Sequence, residues 1–421
     1  MCTTLSEVND QFTEEVLINI LSKKNNGKKV QLTDWNFHEA SNKGDNYLSR
    51  VYTGKVSGVI DGNPKQHVEA NIVVKSMPRN SGLRKTLRCD EFFYNEIIFY
   101  TEIASRFENF LAEKGQSDLL CIPHYIISST DSENGFLILE DGFSLGFRKV
   151  SRQNVFDWAE CIAVLKTLSR FHAISFAYKD QRKEEFAKMT NSLKETLFGH
   201  WDWYKGYHEK VQVLIKEILA IECPNSKAEK RYNSYKFGTL YEKCAEFCKR
   251  KDAPTSVIIE GDCWPPNFLI RRTLGQNQKQ ALMLDFQIAR CASPILDLSF
   301  LIYSCTLKSF RDQHFDDVLK IYHSELSDTI KLLGSDPEKI YPWDQFMKEV
   351  QEQFGFGVFA ALEAIPLTLI DVSESFSIET VVEGNNAVDC GDLMSFSTIK
   401  TANDRQRISD VIVHAVEKGY I

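Results

Sequence analysis

The chain has 421 residues, of which 43% are hydrophobic and 26% charged, a composition that excludes a disordered or fibrous protein. This length exceeds the usual single hydrophobic core, so we expect one large bilobal enzyme or two coupled domains. The net charge is −8 and the pI is about 5.7. Both values disfavour a dedicated nucleic-acid binder, because such proteins carry a basic face that neutralises phosphates.

The eleven cysteines and the first residues of the chain bear on its compartment. Only Cys244 and Cys248 are closely spaced, and no second cysteine or histidine pair lies near them. Zinc binding by these two is the minor alternative, and free thiols in a reducing compartment are the preferred interpretation. The first fifteen residues lack the basic and apolar regions of a signal peptide. No apolar run approaches the roughly 20 residues that span a bilayer. We therefore expect a cytoplasmic protein without a membrane span.

Residues 1–145 show the pattern of a small sheet with one long helix. Alternating or β-branched runs lie between about residues 35 and 78, separated by the turn-prone IDGNPK, and they predict an antiparallel meander. From Cys89 to Leu111 apolar residues recur at steps of three and four, which predicts a long amphipathic helix. Two strand-like runs, CIPHYIIS and GFLILED, follow. We predict an N-terminal nucleotide-binding lobe over this range.

Residues 146–421 are predicted to form a mainly helical, catalytic and acceptor-binding lobe. A helix runs from about Val155 to Tyr178, and helical segments continue to about residue 251, so that 152–251 forms a helical insertion. Strand character returns in SVIIEGD, NFLIRR and ALMLDFQ. Helices follow from Pro294, with a polar loop between about Asp371 and Met394. The predicted fold class is α+β, with a small β-rich lobe and a larger helical lobe.

The segment 257–299 carries the residues with the clearest chemistry. Two strand-like runs end at Asp262 and Asp285, and Asn267 follows the first aspartate by five residues. Phosphoryl transfer needs one carboxylate to accept a hydroxyl proton. It also needs an amide oxygen and a second carboxylate to hold Mg²⁺. A lone aspartate at a strand end is more often a turn cap, but the joint pattern favours a kinase-type site.

The strings EGDCWPPNFLI and LMLDFQIARCASPILDLSFLIYS resemble the ecdysteroid kinase-like family, in the choline and aminoglycoside kinase group of the protein-kinase-like fold. NYLSRVYTGKV, IVVKSMP, FFYNEIIFYTE, FLILEDGF and RFHAISFAY follow the family's order, so the resemblance covers most of the chain. It implies that Asp262 is the catalytic base and that Asn267 and Asp285 bind Mg²⁺. It also implies that Lys75 contacts the α- and β-phosphates of ATP and that Glu96 orients Lys75.

The pairing of Lys75 with Glu96 also follows from the residues themselves. Lys75 lies inside the apolar run IVVKSM, where a buried lysine needs a charged partner. Glu96 flanks the apolar stripe of the next helix, so it could face the sheet. The alternative is a lysine at a strand edge that points to water, with Glu96 on the solvated face.

Two nucleotide contacts are predicted by resemblance rather than by spacing. The segment from Gly44 to Ser49 lies between strand-like runs, where a backbone phosphate cradle is expected, but it lacks the glycine-rich motif of protein kinases. The trio Glu140, Asp141 and Gly142 ends a strand, where the resemblance implies the hinge that meets adenine. An ordinary acidic turn is the alternative for this trio.

The acceptor is predicted to be a small hydroxylated molecule. Only eleven residues separate Asp285 from Asp297, which is too few for an activation loop that docks a peptide. The aromatic residues of the helical insertion could line a small-molecule cleft, although many must form core. By resemblance, an ecdysteroid or another apolar alcohol is the expected acceptor. A choline- or sugar-type kinase remains an alternative.

Two residues depart from the family pattern. Glu260 stands where relatives carry histidine, and its charge near two aspartates could raise the pKa of one of them. Pro266 stands where relatives often carry a second asparagine, and it removes a backbone donor. Neither change deletes a catalytic group, but a weakened enzyme, a pseudokinase or a ligand-binding module remains an alternative. The oligomeric state is not predicted.

Overall fold

The computed structural model of the chain describes residues 3–40, 48–62, 64–131, 133–151, 153–272, 279–370, 382, 384–393, 395–396, 399 and 401–421. Two short N-terminal helices, α1 (Leu5–Val8) and α2 (Glu14–Lys24), precede the first strand. The apolar side of α2 packs on the following sheet through Leu17, Ile20 and Leu21, which are buried in one cluster with the strand side chains. These two helices were not predicted from the sequence.

Five antiparallel strands form the N-terminal sheet. They are β1 (Val30–Glu39), β2 (Arg50–Ile60), β3 (Gln66–Ser76), β4 (Tyr125–Ser129) and β5 (Phe136–Glu140), in the order β1-β2-β3-β5-β4. Side chains alternate between the two faces of a strand. In β3, Ile72 and Val74 therefore pack under α2, whereas Val73 and Lys75 point to the opposite face. The central strand thus presents its lysine to the side that carries the cavity.

A long helical segment connects β3 to β4, as predicted. It consists of α3 (Ser81–Leu87), α4 (Cys89–Ile98) and α5 (Ser105–Glu113), with a π-helical stretch, Phe99–Ala104, between α4 and α5. Helical backbone angles at the junctions make α4, the stretch and α5 continuous. Such π-helical stretches are frequent at functional sites. This one holds two aromatic side chains, Phe99 and Tyr100, against the residue that follows Asp285.

The rest of the chain is largely helical. Its helices are α6 (Trp158–Gln181), α7 (Lys183–Ser192), α8 (Trp201–Glu222), α9 (Lys227–Asn233), α10 (Thr239–Cys248), α11 (Ile295–Cys305), α12 (Lys308–Leu332), α13 (Pro337–Ile340), α14 (Trp343–Gln353), α15 (Gly355–Leu369) and α16 (Ala402–Lys418). Its strands are β6 (Arg148–Lys149), β7 (Val257–Ile259), β8 (Phe268–Arg272), β9 (Lys279–Met283) and β10 (Arg290–Ala292). β6, β8 and β9 form one small sheet, and β7 pairs with β10.

These elements confirm the predicted α+β class and the three predicted strands β7, β8 and β9. The predicted polar loop lies partly outside the described residues, and the boundary at residue 145 stays a prediction. The ten described cysteines are free thiols. None of the helices in the described part of the chain is both long enough and apolar enough to cross a bilayer.

Candidate active site

Lys75, Glu96 and Asp285 meet on the inner face of the N-terminal sheet. Lys75 Nζ donates to Glu96 Oε1 and Oε2 at 2.7 and 2.9 Å, and to Asp285 Oδ1 at 2.8 Å. The side chains of Lys75 and Glu96 are only 12% and 2% exposed. Burial alone would lower the pKa of Lys75, but the charges of Asp285 and Glu96 outweigh burial and raise this pKa. Lys75 therefore stays a cation, which agrees with the predicted pairing.

Asp285 is held in a strained conformation by the residues around it. Its φ is +66°, in the left-handed region that few non-glycine residues adopt. The next residue, Phe286, is fully buried and stacks on Phe99 with ring centroids 3.7 Å apart. Asn95 Nδ2 donates to the carbonyl oxygens of Gln287 and Ala289 at 3.1 and 3.0 Å. Helix α4 therefore fixes both Glu96 and the loop that carries Asp285.

Asp262 and Asn267 face each other across the loop between β7 and β8. Asn267 Nδ2 donates to the Asp262 backbone oxygen and to Asp262 Oδ2, both at 3.0 Å. Pro266 lies in the single 3₁₀ turn, Pro265–Asn267, that brings the two side chains together. Burial and the charge of Asp285 raise the pKa of Asp262 to about 7. A carboxyl group with this pKa can both accept and release a proton near neutral pH.

Gly261 allows the loop to reach this position. Its φ is +89°, and a Cβ at this residue would lie 2.4 Å from the backbone oxygen of Ile288. We expect Gly261→Ala to destabilise the fold by about 2 kcal/mol or more, because backbone strain and a backbone clash add. Urea unfolding measures the loss. Gly146→Ala is the matched control, since Gly146 has φ +87° but open space around the added methyl group. Equal losses in both variants would contradict the clash.

Asp297 organises the same loop and was not identified as a site residue from the sequence. Its carboxylate accepts hydrogen bonds from the backbone N–H groups of Glu260 and Gly261, with N–O distances of 2.8 and 2.9 Å. His172 Nε2 lies 3.2 Å from the same carboxylate, and Tyr322 OH lies 2.6 Å from His172 Nδ1. The available signal was a lone aspartate in α11, a helix of otherwise almost wholly apolar and entirely buried residues.

Glu260, the residue that departs from the family pattern, is fully buried beneath Asp262. Its Oε2 accepts the Asp262 backbone N–H at 2.8 Å, and its Oε1 lies 3.5 Å from Asn267 Nδ2. Burial and the charges of Asp262 and Asp297 raise the pKa of Glu260 well above its usual range. In both contacts Glu260 is the acceptor, and through them it supports the loop that carries Asp262 and Asn267.

A cavity of about 730 Å³ joins these residues. Lys75, Asp262, Asn267 and Asp285 all line it. One region is walled by apolar side chains from the N-terminal sheet and from the β8–β9 hairpin and its flank, namely Ala40, Val51, Val73, Leu139, Leu269 and Leu284. An apolar slot beside a buried lysine suits a flat base next to phosphates.

Of the residues predicted to form the hinge and the phosphate cradle, those that the structure describes line this slot. Ser49 and the trio Glu140, Asp141 and Gly142 line the cavity. The Glu140 carboxylate binds Lys24 at 2.8 Å, and Asp141 Oδ1 accepts the backbone N–H of Phe143 at 2.9 Å. Both acidic side chains therefore have structural partners, and the backbone N–H groups of Glu140 and Asp141 also donate within the protein, to the carbonyl oxygens of His124 and Asn71 at 2.9 and 3.1 Å. Gly44 lies outside the described residues.

The other region of the cavity is lined by the helical insertion, by α4, α11 and α15, and by the loop between β7 and β8. Its apolar lining consists of Phe92, Leu197, Phe198, Tyr204, Tyr207, Trp264, Phe300, Phe356, Phe359, Ala360, Ala364 and Leu367. Only the short turn Phe286–Ile288 and β10 lie between Asp285 and α11. The segment is too short for a peptide-docking activation loop, so this region of the cavity is the space that the geometry offers to a small ligand.

In protein kinases a strand lysine pairs with a helix glutamate, and an asparagine and an aspartate on successive loops hold Mg²⁺ beside a catalytic aspartate. In this chain Lys75 pairs with Glu96, and Asn267 and Asp285 lie on successive loops beside Asp262, on an antiparallel sheet followed by a helical region. The chain therefore has a protein-kinase-like fold, and its open apolar cleft places it among the small-molecule kinases. More narrowly, the chain belongs to the ecdysteroid kinase-like family, whose model matches residues 43–335.

Comparisons with solved structures give distant similarities. An ethanolamine kinase from Plasmodium vivax is 13% identical over 92% of this chain and 83% of its own, with a TM-score of 0.42. The choline kinase LicA from Streptococcus pneumoniae is 14% identical over 84% of this chain and 98% of its own, with a TM-score of 0.32. An aminoglycoside phosphotransferase from Streptomyces rimosus, in complex with ADP and streptomycin, is 13% identical over 72% and 90%, with a TM-score of 0.28. No curated protein sequence matched the chain.

Proposed function

We propose that the chain is an ATP-dependent kinase that transfers the γ-phosphoryl group to a hydroxyl group of an apolar small molecule, such as an ecdysteroid or another steroid alcohol. One observation carries the proposal: Lys75, Asp262, Asn267 and Asp285 line a single cavity, with Glu96 buried behind Lys75. The apolar wall on the acceptor side of the same cavity supports an apolar acceptor.

The donor set of the site fits Mg²⁺, which binds oxygen ligands almost exclusively. Asn267 uses its amide nitrogen to contact Asp262, so its amide oxygen is the atom left for a metal. Asp285 gives one carboxylate oxygen to Lys75, and the described residues offer no hydrogen bond to the other. Asn267 and Asp285 would hold Mg²⁺, which would neutralise charge on the phosphates as it develops.

The proposed chemistry assigns one step to Asp262. It accepts the proton of the acceptor hydroxyl group as the oxygen of that group bonds to the γ-phosphorus, while the bond from this phosphorus to the β–γ bridging oxygen breaks and ADP leaves. Lys75 binds the α- and β-phosphates, and Glu96 keeps Lys75 in place. Ser49 and the backbone of Glu140–Gly142 bound the nucleotide slot.

A second candidate is a binding module that keeps the fold without turnover, and Glu260 is the residue that favours it. ADP release by the purified protein, measured with Mg²⁺ against steroids, amino alcohols and plant-type phenols, separates the two. We expect ADP release with at least one apolar alcohol. Binding of ATP without ADP release across the whole panel would contradict the kinase and favour the module. Preferred turnover of amino alcohols or sugars would instead indicate a choline- or sugar-type kinase.

A further inference from the structure

A buried carboxylate interrupts the apolar wall of the acceptor cleft. Glu363 of α15 lines the cavity and is only 7% exposed. Tyr204 OH donates to Glu363 Oε2 at 2.9 Å, and His208 Nδ1 lies 2.7 Å from Oε1. Tyr207 OH donates to the Glu363 backbone oxygen at 2.6 Å. Helix α8 therefore supplies all three partners and fixes the direction of the carboxylate.

The apolar surroundings of Glu363 raise the free-energy cost of burying its carboxylate. Phe359, Ala360 and Leu367 lie on the same helix and line the same cleft. Arg290 also lines the cavity, but Glu195 binds its guanidinium group at 2.8 Å. A charged group in an apolar wall loses its hydration. That loss is offset only when protein or ligand groups fill the hydrogen-bonding capacity of the charged group.

Glu349 is another buried carboxylate of this protein, and its hydrogen-bonding capacity is fully used. Glu349, outside the cavity, accepts hydrogen bonds from four side chains, which are Thr255, Ser293, Tyr341 and Gln345. Glu363 contacts only two side-chain donors among the described residues. A carboxylate can accept about four hydrogen bonds. Glu363 therefore retains acceptor capacity on a surface that faces the cleft.

We propose that Glu363 binds a hydrogen-bond donor of the acceptor molecule, either a second hydroxyl group or an ammonium group. Because the proposed function assigns the reacting hydroxyl group to Asp262, the group that Glu363 binds is a second one. The acceptor class is then an alcohol with an apolar body and a second donor group, and molecules with a carboxylate in that place are excluded by repulsion. This inference rests on the proposed function.

The test is equilibrium binding, by calorimetry without nucleotide, of decanol, decanediol, aminodecanol and hydroxydecanoic acid. The four probes share one apolar chain and one primary hydroxyl group. We expect decanediol and aminodecanol to bind about tenfold more tightly than decanol, and hydroxydecanoic acid to bind more weakly than decanol. Glu363→Gln should reduce the preference for aminodecanol to about threefold or less, since the charge is lost.

Two control variants distinguish binding at Glu363 from a general structural effect and from binding at Asp262. Glu349→Gln removes a buried carboxylate outside the cavity and should leave the order of the four affinities unchanged. Equal affinities of the wild type for decanol, decanediol and aminodecanol would overturn the proposal. So would an aminodecanol preference that Asp262→Asn abolishes and Glu363→Gln leaves intact. Because this measurement needs no ATP, the expected binding order, combined with no ADP release across the panel of steroids, amino alcohols and phenols, would refute the kinase and keep the subsite.

Discussion

Asp262→Asn is expected to lower the turnover number by about 10²–10⁴, the usual contribution of a general base. Asparagine is nearly isosteric with aspartate and can still accept the hydrogen bond from Asn267, but it cannot take the proton of the acceptor hydroxyl group. The raised pKa of Asp262, about 7, places its proton affinity where general-base catalysis is efficient. The measurement is ADP release at saturating ATP and acceptor.

The same variant should retain nucleotide binding. Its Mg²⁺-dependent thermal stabilisation by ATP is expected to match that of the wild type, because Lys75, Asn267 and Asp285 are unchanged. Turnover equal to that of the wild type would show that another group accepts the proton. Loss of turnover together with loss of ATP stabilisation would indicate a collapsed loop and not a missing base.

The approach of Asp262, Asn267 and Asp285 to one another could be predicted because the chain between them is local. Each aspartate follows a strand, and the hairpin β8–β9 returns the chain to its starting edge within about twenty residues. The pairing of Lys75 with Glu96 could also be predicted from local patterns in the sequence. Period-two alternation selects the face of β3, and helical spacing selects the face of α4.

Residues brought together by tertiary packing could not be predicted in this way. Glu363 and His208 are 155 positions apart and meet only because α15 packs on α8. Asn95 precedes Glu96 directly, yet its contacts with the loop after Asp285 depend on how that loop closes. No local pattern encodes such pairs, since amphipathic periodicity specifies that a face is buried and not what it meets.

The trio Glu140, Asp141 and Gly142 was predicted to form the adenine-binding hinge by resemblance alone. Spacing alone left Glu140 and Asp141 as either an acidic turn or an adenine-binding hinge. The structure gives both side chains turn or ion-pair partners and also places the trio on the cavity. An added Cβ at Gly142 would lie 2.9 Å from methyl carbons of Leu269 and Leu282, so these two side chains would have to move. The two interpretations are therefore compatible.

Lys75→Met is expected to lower the free energy of unfolding by about 3–5 kcal/mol and to abolish turnover. Methionine fills a similar volume, but it leaves Glu96 buried without its cation and Asp285 without a partner. Urea unfolding measures the stability. Lys55→Met is the matched control, since Lys55 also forms a 2.8 Å ion pair on this sheet, with Glu69, but both side chains are about half exposed. Its loss should stay below about 1 kcal/mol.

The double variant Lys75→Met/Glu96→Leu separates the structural role of the pair from its catalytic role. Replacing both partners of a buried ion pair by apolar side chains is often neutral for stability, so most of the lost stability should return. Turnover should not return, because the cation that faces the phosphates is still absent. If the double variant regained turnover, Lys75 would act only by neutralising Glu96. If Lys75→Met were as stable as Lys55→Met, the buried pair would contribute no more than an exposed one.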